Sequence, residues 1–334
     1  MARQAIIHMG MPKTGTTAIQ NTVFRNRNLL LEKYKILYPS IDSNHTNSLC
    51  IMFLPDPRTH VTVKMASITT EREAEALRAD HFKSLEKELD NPNWDTLALN
   101  AEGLANLSTP SLRALKDWTS KYVDSWHVVY WARHPLDFTK SLMQQMIKGG
   151  YTIEEMMELL PLTNFEGRIS NGFRAFGKEN VQLFRYEEAR SSKGGVVAEY
   201  CRQLGLDEAT AIGIAEGAVF ENESMSMLAT HVLDRLNKRR PLFVDGQLNP
   251  RRGGTEITWA SRLKGAKFDL LACQKREICA ASRNDVLWLN EQFGVNYYLD
   301  VFGGEDEYTD PEERYSNEVL DSIAITFSDL INLQ

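Results

Sequence analysis

The residues Gly10-Met11-Pro12-Lys13-Thr14-Gly15-Thr16-Thr17 are of the types that hold an anion. Glycines allow a tight turn, so that several backbone N–H groups can point at one charged oxygen cluster. A helix expected to follow adds its positive N-terminal end. Thr14, Thr16 and Thr17 contribute hydroxyl donors, and Lys13 contributes a full charge. The ATP-binding loop pattern G-x-x-x-x-G-K-[ST] requires its lysine directly after the second glycine. Gly10 and Gly15 have that spacing, but Thr16 stands where the lysine belongs, and the lysine lies inside the loop at Lys13. An ATP or GTP hydrolase is therefore disfavoured.

A second group of residues comes after an apolar run. In His127-Val-Val-Tyr-Trp-Ala-Arg133-His-Pro-Leu-Asp-Phe-Thr-Lys-Ser141, the arginine emerges at the C-terminal end of an expected strand. Ligands of open α/β sheets bind at that edge. A guanidinium there can grip a phosphate with two parallel hydrogen bonds. Ser141, two turns into the next helix, is placed to reach the same anion. Singly, Arg133 reads as a surface ion pair and Ser141 as a solvated helix position; with the loop, the two read together as anion ligands. His134 reads as a residue that orients this turn. Tyr186 closes the run Asn180-Val-Gln-Leu-Phe-Arg-Tyr186, where it could stack on a base or simply pack. Glu102, just after Thr96-Leu-Ala-Leu-Asn-Ala, and His45, after Tyr38-Pro39-Ser40, are titratable groups in reach of the same edge; a helix-start carboxylate and a structural loop histidine are their plain structural readings.

With these residues in view, P-K-T-G-T-T after a first strand resembles the 5′-phosphosulfate loop of sulfotransferases that use 3′-phosphoadenosine 5′-phosphosulfate (PAPS). The strand, the Arg-x-Pro and the Arg133-to-Ser141 interval resemble that family's 3′-phosphate site, and Tyr186-Glu187 resembles its strand end near the adenine. Arg251-Arg252-Gly253 is only faintly similar to an Arg-Lys-Gly segment of some members, and the residues after it depart from their pattern, so it reads as a solvated basic loop. The resemblance spans residues 5–190. It implies transfer of a sulfuryl group from PAPS to an acceptor hydroxyl or amine, leaving adenosine 3′,5′-bisphosphate. Lys13 would sit beside the oxygen bridging sulfate and phosphate, Lys13, Thr14, Gly15, Thr16 and Thr17 would cradle the donor, and no metal would be required. Such a transfer also needs a base; the family places a Glu or His beyond the end of a central strand, which implies Glu102 first and His45 second. The acceptor is unidentified; a saccharide is preferred, because the segment after the loop resembles carbohydrate-type members. A nucleotide kinase on a modified loop and a non-catalytic nucleotide-binding protein are the alternatives.

The elements that must position these residues alternate. Residues 5–9 form the first strand. A helix runs from about Thr17 to Phe24 and on toward Lys33, with a core face of Ala18, Ile19, Thr22 and Val23. Lys35–Tyr38, Trp94–Asn100, His127–Ala132 and Val181–Phe184 are further strand candidates. Thr70–Leu89, Ser111–Tyr122, the segment to Lys148, residues 151–178, Asn284–Phe293 and Asn317–Leu333 read as helical, and 238–256 as a basic loop. Apolar strands separated by helices indicate an α/β fold: a three-layer, P-loop-like arrangement with a central, mainly parallel sheet flanked by helices and a largely helical C-terminal half. One domain over 1–334 is expected, with 5–190 as the donor-binding core and 191–334 as a helical remainder.

The 334 residues carry a formal net charge of −7. The surface as a whole should not attract nucleic acid or acidic membranes. Of the four cysteines, none forms a C-x-x-C pair, so buried free thiols are expected rather than a zinc site. A strand so close to Met1 leaves no room before it for a signal peptide, and no apolar run reaches membrane-spanning length. The expectation is a cytoplasmic protein.

Overall fold

The structure is a computed structural model and describes residues 2–219, 224–244, 247–252, 255–263, 265–299 and 317–332. The chain divides into two compact units, Met1–Arg133 with Asn164–Glu221, and His134–Thr163 with Asn222–Gln334.

The first unit is built on five parallel strands: β1 (Gln4–His8), β2 (Ile36–Leu37), β3 (Thr96–Asn100), β4 (Ser125–Ala132) and β5 (Val181–Arg185). Their order is β2-β3-β1-β4-β5. β1 lies centrally, with His8 opposite Asn100 on one side and Val129 on the other. β4 and β5 pair from Val128↔Val181 to Ala132↔Arg185. Every residue of β3 is buried, as an interior strand of a sheet covered on both faces requires. Alternate residues supply each face: Ile6, Ala98, Val129 and Trp131 join one core with Ile19, Val23, Val196 and Val197 from two covering helices.

Because all five strands run in one direction, their C-terminal ends form one edge of the sheet. The loop after β1, Glu102 after β3, Arg133 after β4 and Tyr186 after β5 all start from that edge.

Local chemistry fixes several boundaries. The 19-residue helix Glu71–Leu89 begins where the Thr70 hydroxyl accepts from the Glu73 N–H, and Thr109–Thr119 begins where Ser108 accepts from Ser111; both are N-caps. The helix expected from Thr17 toward Lys33 is instead two, Thr16–Arg25 and Arg27–Tyr34. Asn26 lies between them at φ −94° and ψ 6°, and its side-chain amide donates to the Thr22 carbonyl, an asparagine competing with the helix ladder. The expected helical stretch 151–178 is likewise split into Ile153–Leu159 and Phe165–Phe176, with Leu160 and Asn164 at positive φ between them.

Among its described residues the second unit is mainly helical, with one short antiparallel pair, Phe243–Val244 with Gln247–Leu248. That pair lies in the segment expected to be a basic loop. Its longer helices are Pro135–Lys148, Met227–Arg239, Ala272–Phe293 and Asn317–Asn332. Leu233, Leu236, Ile147, Ala260 and Ala324 share one core cluster.

Candidate anion-binding site at the end of the parallel sheet

The loop leaves β1 through Met9, and Gly10 turns it at φ 54°. Lys13 takes φ 70° and Gly15 φ 78°. Thr14 is fully buried and its hydroxyl donates to the Met11 carbonyl at 2.6 Å, closing the turn from within. The helix Thr16–Arg25 then starts on Gly15, with no side chain capping its N-terminus and no acidic residue in its first turn. Its first N–H groups and its dipole therefore point to the loop with no carboxylate of that turn opposing them. A methyl group on Gly15 would come within 2.9 Å of Val196 Cγ2 and 3.8 Å of the Tyr186 ring, so the loop lies directly against both.

Glu102 meets the loop from β3. It opens a 3-10 helix, Glu102–Asn106, and is half-buried. Its Oε2 accepts from the Thr16 hydroxyl at 2.5 Å. A Cβ on Gly10 would come to 3.0 Å from that of Glu102. The Thr16 side chain thus turns toward the carboxylate, while Thr17 is exposed.

Arg133 meets the loop from β4. Its Nη1 donates to the Lys13 carbonyl at 2.6 Å, and the guanidinium lies over the Tyr186 ring, 5.0 Å from its centroid. Its Nε is buried with no hydrogen-bond partner. A buried, unpaired guanidinium nitrogen is costly unless something binds it. Tyr186 itself begins the helix Tyr186–Ser191 rather than ending the strand.

The structure therefore brings Lys13, Thr14, Gly15, Thr16, Glu102, Arg133 and Tyr186 together in one unit. Ser141 falls in the other, half-buried on the helix Pro135–Lys148. His134, also in that unit, lies with Nε2 3.0 Å from the Tyr298 carbonyl and its ring edge-on to Tyr297.

His45 occupies a structural setting rather than an open loop. It is 1% exposed. Its Nδ1 accepts from the Asn100 N–H at 3.1 Å, which leaves the ring proton on Nε2 to donate to the Pro39 carbonyl at 3.1 Å. The ring also packs on Tyr38, with centroids 4.4 Å apart. Burial lowers its pKa to about 4, so it is neutral at pH 7 with both nitrogens engaged. The adjacent Thr46 hydroxyl accepts from the Gly103 N–H at 3.1 Å, so this segment braces the turn that carries Glu102.

A buried polar group beneath the site has no evident signature in the sequence. His8 Nδ1 lies 3.2 Å from Asn100 Oδ1, which also accepts from Gln20 Nε2 at 3.1 Å. Burial outweighs the Asn100 bond and lowers His8 to about 4. The only hint of this cross-brace in the sequence is that both residues end apolar strands.

The segment Arg251-Arg252 divides. Arg251 is exposed, but Arg252 is 2% exposed and bonds Glu256, Asn237 Oδ1 and the Arg240 carbonyl. The expectation of a solvated basic loop is corrected for Arg252, whose charge is met by a buried carboxylate four residues on. Gly253 lies outside the described residues.

A cavity of about 530 Å³ in the first unit is lined by Asn21, Phe24, Arg25 and Ser40–Ser43. It sits by the C-terminal part of the helix that starts on the loop, and so is separate from the anion cradle. Among the described residues, no group of three or more His, Cys, Asp or Glu could hold a metal ion, and no helix is long and apolar enough to cross a membrane.

No protein-family model matches the chain, and no curated protein matches it. Among solved structures, the chain is similar to a sulfotransferase from Alicyclobacillus acidocaldarius, with 12% identity over 89% of this chain and 97% of that one, at a TM-score of 0.44.

Proposed function

We propose that this chain is a sulfotransferase that moves a sulfuryl group from PAPS to a hydroxyl or amine of an acceptor, with a saccharide the preferred class. The observation that carries the proposal is the convergence of an uncapped helix start, a lysine within the loop at positive φ and a strand-end arginine whose guanidinium meets that loop and lies over Tyr186. These features suit a ligand with two anionic groups. The donor supplies the activated sulfuryl group and a phosphate leaving group. Gly15 and the first turn of the helix offer N–H donors to the 5′-phosphosulfate. Lys13 neutralises the charge that develops on the bridging oxygen, the kind of interaction that strengthens only as the bond breaks. Arg133 holds the 3′-phosphate through its guanidinium, and Tyr186 borders the adenine. Glu102 takes the acceptor's proton; its bond to Thr16 fixes the carboxylate beside the cradle. His45 is left out of the chemistry, because both its nitrogens are already engaged.

A second reading draws on the same Thr16–Glu102 pair. A hydroxyl at the start of the helix and a carboxylate on the adjacent strand end are the parts with which P-loop phosphotransferases hold Mg²⁺. The threonine in place of the loop lysine tells against it.

Calorimetric titration separates the two. Adenosine 3′,5′-bisphosphate is expected to bind the wild-type protein without metal, and Arg133→Ala to weaken that binding on the order of 100-fold. No bisphosphate binding, together with tight ATP–Mg²⁺ binding, would replace the sulfotransferase reading with the kinase.

A further inference from the structure

We infer that Arg133 also acts as a clamp. It holds Lys13 in a left-handed backbone conformation, so that one guanidinium links placement of the lysine to binding of the anion. Lys13 sits at φ 70°. That region is disfavoured for any residue with a Cβ other than Asn or Asp, so neighbouring groups must hold it. On one side, Thr14 ties its own hydroxyl to the Met11 carbonyl, and on the other, Gly15 is packed against Val196 and Tyr186. The Lys13 carbonyl itself is taken by Arg133 Nη1 at 2.6 Å. This is a charge-assisted bond, short for its type.

Arg133 is in turn held over the face of Tyr186, and its Nε remains buried and unpaired. The guanidinium is planar and rigid. An anion held by the guanidinium fixes the plane that also presents Nη1 to the Lys13 carbonyl. Anion binding at Arg133 should therefore stiffen the loop, and loss of the clamp should misplace Lys13 even when donor is saturating. Identifying the anion as the donor's 3′-phosphate rests on the proposed function; the clamp does not.

Hydrogen–deuterium exchange without added nucleotide tests the clamp directly. In Arg133→Met, peptides covering residues 10–20 are expected to exchange on the order of tenfold faster, while peptides covering β3 are unchanged and so report an intact fold. Adding Lys13→Asn, which tolerates positive φ, should return the loop toward the wild-type rate. If Arg133→Met does not fold, Arg133→Lys keeps the charge and removes the fork, and the same acceleration is expected. Unchanged loop exchange in a folded variant would overturn the clamp, even if bisphosphate binding were lost, because Arg133 would then be an anion ligand alone. A second readout is kinetic. A clamp predicts that Arg133→Lys lowers kcat on the order of tenfold at saturating donor; a rise in KM with kcat unchanged would count against it. If the wild-type protein binds no bisphosphate, the donor reading fails while the exchange result still decides the clamp.

Discussion

Lys13 and Glu102 divide the proposed chemistry, and each can be removed separately. Lys13→Ala should lower kcat by about 10³-fold or more, because its charge matters most when the bridging oxygen becomes negative. Full activity in that variant on a verified acceptor would rule out the mechanism. Glu102→Gln keeps an oxygen that can accept from Thr16 but removes the base. It should cost about 10²–10⁴ in kcat and leave bisphosphate affinity within roughly threefold. If Glu102→Gln turned over at the wild-type rate, only the base assignment would fall. Thr16 connects these residues: its hydroxyl donates to Glu102, and its position heads the helix whose first N–H groups face the loop.

The loop and the braces behind it act as elements rather than as single groups. Gly15 is the joint between loop and helix, at a φ of 78° and with Val196 2.9 Å from where a methyl would lie. Gly15→Ala combines backbone strain with a clash and should destabilise the protein by roughly 1–3 kcal/mol, read as a lower urea midpoint. The strand ends beneath the site are tied by two neutral histidines, His8 and His45. Both have pKa values lowered from 6.5 to about 4, by burial. As pH falls below 6.5 the unfolded chain takes up these protons, but the folded chain does not until about pH 4. Stability is therefore fully present above pH 6.5 and falls through that window, by up to roughly 3 kcal/mol per histidine. Urea titrations between pH 7.5 and 4.5 should show the decline, and His45→Gln should make it shallower. A stability independent of pH across that range would mean that the two rings are not held neutral as described.

At the scale of the molecule, the second unit has a buried charge of its own that the proposed chemistry does not use. Arg252 and Glu256 are both buried and pair at 3.1 Å. Removing one partner leaves the other charge buried, so Arg252→Ala should cost about 3–5 kcal/mol. Replacing both with methionine should restore most of that. Bisphosphate binding, measured where the protein is folded, should be unchanged. Loss of binding in the folded double variant would instead connect this arginine to the ligand.

What the sequence by itself determined is the sheet edge. Apolar runs separated by helical stretches imply parallel strands, and parallel strands put every strand-end residue on one side. Lys13, Glu102, Arg133 and Tyr186 were legible for that reason: each comes within a few positions of the end of such a run. The side-chain partnerships were not legible, because they join residues far apart in the chain. Nothing near Arg133 in sequence says that it bonds the Lys13 carbonyl, 120 positions away. Nothing near His45 says that β3 buries it, and a loop histidine and a sealed one look alike until the strand arrives. Arg252 reads as solvated for the same reason, since the carboxylate, amide and carbonyl that satisfy it converge only after the helices pack. Periodicity and local turn chemistry decide where strands and helices lie; burial and long-range hydrogen bonds decide which charged and titratable groups remain available for chemistry, and those depend on tertiary neighbours.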